Sequence, residues 1–129
     1  MSAGQLAMHI ASIPANLTRM AKLDGFDVAG ANFNPPAPNS VEEVLATLET
    51  GLADVQNYLS GMTEEAAMTT WRLSSGEREV FSMPRVGLLR TIMLNHWYHH
   101  RGQMSVYLRL LDVPVPVIYG RSADENPFG

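Results

Sequence analysis

Apolar residues recur at a spacing near 3.6 in three long segments, and this predicts a chain built from α-helices. In the first segment Leu6, Ile10, Ile13, Leu17 and Met20 form one stripe, and His9 shares it. Ser2 and Gln5 have capping-box spacing at its start, and Asp24-Gly25 marks its expected end. Pro14 sits inside the segment and predicts a kink, because proline withdraws one amide from the hydrogen-bond ladder. The second segment starts at Ser40, again with capping-box spacing to Glu43. Val41, Val44, Leu45, Leu48, Leu52, Val55 and Leu59 are its expected buried face, with Gly61 at the end.

Between these two helices, residues 26–39 lose periodicity and carry Pro35, Pro36 and Pro38, which reads as a stiff connection without chemistry. Thr63 is placed to cap a short third helix with Glu64 and Glu65 in its first turn. Trp71 and Leu73 are expected over the core, and residues 74–82 read as a turn followed by a short extended piece. The last helix is expected from Pro84 to Leu111, roughly 27 residues or about 40 Å. Its inward stripe runs through Leu89, Ile92, Met93, His96, His100, Gln103, Met104, Tyr107 and Leu111. Gly102 within that helix suggests the close approach of another backbone. Residues 112–129, with alternating Val and Pro, read as an extended strap on a single domain spanning 1–129.

Composition narrows the function. The length suits one core, and 46% hydrophobic residues argue against disorder. A net charge of −4 disfavours a nucleic-acid partner, which would select a basic face. No apolar run is long enough for a membrane span and no signal peptide is visible, so a cytoplasmic protein is expected. The chain has no cysteine, which excludes disulfides, thiolate nucleophiles and Cys-type metal sites.

Histidine is the informative residue. His96 and His100, four apart on a helix, lie one turn above the other on one face. They interrupt an apolar stripe, as His9 does on the first helix. If the stripes face each other, three imidazoles converge and can hold a metal with an open position. Imidazole suits zinc, nickel, copper or iron, so the ligands alone do not choose. A His pair alone is more often structural, and histidines hydrogen-bonded within the core are the competing reading; His9 on a second stripe brings the metal reading level with it, because buried polar rings need partners. His99 falls off this face. Trp97 stands where a zinc-protease helix would carry its glutamate, which disfavours a peptidase.

The run LNHWYHHRGQMSVYLRLLDVPVP, with GQLAMHIASIP near the start, resembles the DinB/YfiT-like superfamily. The resemblance implies an all-α, up-down-down-up four-helix bundle, often a homodimer, with a divalent metal such as Zn2+ or Ni2+ on three histidines. By this resemblance His9, His96 and His100 are the ligands. It further implies a metal-dependent enzyme, with thiol-dependent S-transferases among the relatives, using a low-molecular-weight thiol and a small electrophile. A non-catalytic, dimeric metal-binding protein of stress response is the alternative. The helix at residue 2 corresponds to the second of the family, so the usual first helix is absent. Domain swapping, dimerisation, or a start further upstream would then cover the open face.

Overall fold

The computed structural model describes residues 1–129. Helix α1 spans Ala3–Ala21, and Ser2 and Gln5 form the expected capping box. The helix continues through Pro14 to its end. Strand β1 (Gly25–Asp27) follows, then α2 (Val41–Ser60), capped by Ser40, and α3 (Glu64–Met68), capped by Thr63. Strands β2 (Thr70–Ser75) and β3 (Arg78–Pro84) lead into the final helical run. That run is α4 (Arg85–Leu88), a π-helical stretch at Leu89–Leu94, and α5 (Asn95–Leu110). Pro84 is its cap rather than part of its first turn.

The chain is therefore not purely all-α. Three strands form a sheet in the order β1-β2-β3, β1 parallel and β3 antiparallel to β2. Period-two alternation builds it: Trp71 pairs with Met83 and Leu73 with Phe81. One face of the ribbon thus covers the end of α1, where Trp71 is completely buried among Ile13, Leu17, Ala21, Leu88, Leu89 and Met93. Each strand is too short to give a signal that competes with the helical segments. Gly25 is required in β1, since a Cβ there would lie 2.6 Å from the Arg72 carbonyl oxygen.

Helices α1 and α2 run parallel. Gly51 packs on Pro14 and Ala15, and the Tyr58 hydroxyl donates to the Ala21 carbonyl at 2.9 Å. Residues 22–40 must therefore return along the full length of α1. Helix α5 runs antiparallel to α1, with the Trp97 indole donating to the Ile10 carbonyl and the Tyr107 hydroxyl to that of Met1. Arg85, only 8% exposed, donates to the carbonyls of Ala66 and Leu23 and to the Asp24 carboxylate. It thereby fixes the origin of the final helical run.

Three packing expectations need correction. The stripe on α2 does not lie wholly inward: Gly51 faces α1, whereas Val41, Leu45, Leu52 and Leu59 stand exposed. The α2 stripe is wider than one neighbouring helix can cover. Gly102 meets no backbone; a Cβ there would have nothing within 4 Å. Residues 112–129 are irregular, and Leu111 is exposed rather than inward. No helix is long and apolar enough to cross a membrane.

Candidate metal centre

The antiparallel crossing of α1 on α5 brings His9, His96 and His100 together, as expected from the two stripes. The π-helical stretch ends immediately before Asn95. Within it Leu89 and Met93 pack in the core beside Ile13 and Leu17 of α1, the helix that carries His9.

The three Nε2 atoms form a triangle. His9 lies 3.4 Å from His96 and 3.1 Å from His100, and His96 lies 2.7 Å from His100. The Nδ1 of His100 is 2.9 Å from Gln103 Oε1. That oxygen can only accept, so Nδ1 carries the proton and the His100 Nε2 presents a lone pair. With three nitrogens, no choice of tautomers alternates donor and acceptor around the ring, so at least one edge faces like to like. Protons cannot satisfy this triangle; a cation at its centre can. Tetrahedral M–N bonds of about 2.0–2.1 Å place ligand nitrogens about 3.3–3.4 Å apart; the His9–His96 edge matches this, and the two edges to His100 are shorter, at 3.1 and 2.7 Å.

Protonation is suppressed where it would compete with a metal. Burial, and then the neighbouring His100, His9 and His99, lower the His96 pKa to about 4. Burial and His100 also lower that of His9. Both rings are therefore neutral near pH 7, the form that ligates metals. Between the ordinary value near 6.5 and about 4, the unfolded chain binds a proton that folded His96 refuses. The metal-free protein is thus expected to lose stability as pH falls through that window, which melting curves recorded in chelator from pH 7 to 4 will show.

Gln103 holds the tautomer and the plane of His100. Gln103→Ala is expected to weaken metal affinity about 10–100-fold, measured by competition with a chromophoric chelator, while saturating metal restores full loading. His99 does not join the cluster. It is exposed and its ring packs edge-on against His100, with centroids 4.8 Å apart.

His9 and His96 also form the end wall of a cleft of about 420 Å3. Its floor is α1 through Ile13, Asn16 and Leu17, and its far wall is Phe26 and the 31–33 segment. Sequence reasoning assigned no chemistry to this connection. The signal available was Phe26 and Phe33, two large apolar residues in an otherwise polar, proline-rich stretch.

A helical protein with a small sheet and a three-histidine group of metal-site geometry is the class these features define. The chain belongs to the DinB family, whose sequence profile matches residues 1–126. It is 27% identical over 126 residues to the uncharacterized protein YrdA of Bacillus subtilis, covering 95% of this chain and 68% of YrdA. It also resembles the crystal structure of a DinB-like protein from Bacillus cereus, with a TM-score of 0.61 and 26% identity. That match covers 91% of this chain and 73% of the other.

Proposed function

We propose that this protein is a metal-dependent enzyme of the thiol S-transferase type, with Zn2+ or Ni2+ on His9, His96 and His100, working in the cytoplasm. The observation that carries the reading is the Nε2 triangle, which protons cannot satisfy and which borders an apolar cleft. A divalent ion held there would lower the pKa of an incoming low-molecular-weight thiol and favour its nucleophilic form. The chain itself has no cysteine, so the sulfur would arrive with the substrate. His9 and His96 would orient the ion toward the cleft, Gln103 would keep the His100 lone pair available, and the apolar walls would exclude water from a small electrophile. The test is elemental analysis followed by a thiol-conjugation assay with metal-loaded and stripped protein. Turnover that requires the metal is expected; stoichiometric metal without turnover across thiols and electrophiles would overturn the enzymatic reading.

One observation favours the second reading, a non-catalytic metal-binding protein of stress response. No carboxylate lines the cleft, so no general base other than histidine stands beside the site.

Pairing of two copies is also proposed. The accessible surface is 8492 Å2, against about 6,800 Å2 for a compact monomer of this mass. An excess of about 1,700 Å2 per copy matches what obligate dimers bury. Val41, Leu45, Leu52 and Leu59 supply a self-complementary stripe with coiled-coil spacing on α2. Leu45→Glu combined with Leu52→Glu is expected to convert a dimer into a folded monomer in sedimentation velocity. A monomeric wild type at micromolar concentration would refute the pairing.

A further inference from the structure

We infer that the cleft beside the histidines binds a small, elongated organic anion, with its carboxylate on Arg19 and its apolar body running toward His9. His9, Ile13, Asn16, Leu17 and Met20 recur at helical spacing along the floor, so the cleft follows the axis of α1. Its volume of about 420 Å3 falls in the range of small-molecule sites. Phe26 and Phe33 face this floor from the returning connection, giving an apolar slot suited to a ring or an alkyl chain.

Arg19 is the one permanently charged residue lining the slot. It enters no ion pair, although acids outnumber bases in the chain. Its Nη2 donates to the neutral Asn16 Oδ1 at 2.6 Å. A guanidinium has five N–H donors in a planar fork, so this bond fixes its direction and leaves donors for a carboxylate. Asn32 adds a polar group on the opposite wall. Its Oδ1 accepts from the Asn34 amide at 2.9 Å, which leaves the Nδ2 end to donate.

Spacing sets the ligand length. Ten residues separate His9 from Arg19, about 15 Å of helix. Asn16 draws the arginine head back by nearly one turn, so about 10 Å remains between the guanidinium and the histidines. A ring with a short alkyl chain and a terminal carboxylate spans that distance.

This inference rests on the proposed function only for which end of the ligand would react; the binding itself needs no metal. The test is calorimetric binding of phenylvalerate and of its neutral counterpart phenylvaleramide to metal-loaded and stripped protein. Wild type is expected to bind the acid about 10-fold or more tightly than the amide in both forms. Arg19→Gln should erase that preference while leaving amide affinity and metal content unchanged. Equal binding of acid and amide, binding of neither, or a preference that survives in Arg19→Gln would each overturn the inference. A preference seen only with metal, and unmoved by Arg19→Gln, would place the carboxylate on the ion and overturn it too. If the protein took up no metal when offered Zn2+ or Ni2+ and still preferred the acid, this site would stand while the metal-dependent function would be refuted.

Discussion

His96→Ala is expected to leave a folded protein that no longer retains a divalent ion. Loaded with Zn2+ and desalted, wild type should carry about one ion per chain and the variant almost none. Loss of a supporting hydrogen bond costs about 10–100-fold in metal affinity, and loss of one ligand of three must exceed that. The metal-free forms should behave in the opposite sense. In the wild type three nitrogens crowd within 3.4 Å and no set of tautomers pairs all three edges, and removing one ring relieves that conflict. The stripped variant is therefore expected to melt at or above the temperature of stripped wild type. If the histidines were partners in a core hydrogen-bond network, the same substitution would orphan a polar group and cost about 1–3 kcal/mol. Elemental analysis paired with thermal melts in chelator separates the two: a large fall in the stripped melting temperature would refute the metal-site geometry.

The second large effect is on stability. Trp71 is completely buried where the sheet meets the helices, and its indole N–H donates to the Met20 carbonyl at 3.1 Å. Trp71→Ala is expected to cost about 3–5 kcal/mol through the cavity it opens. That is a large share of the about 5–15 kcal/mol that holds a domain together. The melting temperature should fall by about 10–20 °C. Trp71→Phe keeps most of the apolar contact and loses the hydrogen bond, so it should cost about 1–2 kcal/mol. Denaturant titration of both variants tests the order. Equal costs would place the stabilisation in the hydrogen bond instead of the packing.

Helix periodicity made the site legible before the structure did. His9, His96 and His100 each replace an apolar residue on an inward-facing stripe, half-buried on α5, and two stripes that pack together bring their exceptions together. The cap residues Ser2, Ser40 and Thr63 were legible for a similar reason, because capping depends on a few neighbouring residues. Features that depend on distant partners were not. The pairing of β1 with β2 joins Gly25 to Arg72 across a long sequence separation, and neither strand is long enough to announce itself. The exposure of Leu45 and Leu52 followed from how little of α2 its single neighbour covers, which periodicity does not report. Arg19 and Asn32 were silent because each is an ordinary polar residue until the returning connection folds over α1.

His9 and His96 stand 87 positions apart in sequence, so an ion joining them would staple the first helix to the last. Closing a flexible loop of that length costs about 4 kcal/mol of chain entropy, and the site cannot assemble until the chain has met it. Metal affinity would then measure global folding. An ion at a hundred times its dissociation constant would return about 2.7 kcal/mol to the native state, most of it as resistance to separation of the chain's two ends. In that sense the centre would serve as a late checkpoint: a chain that has misplaced either terminal helix would be left without its ion.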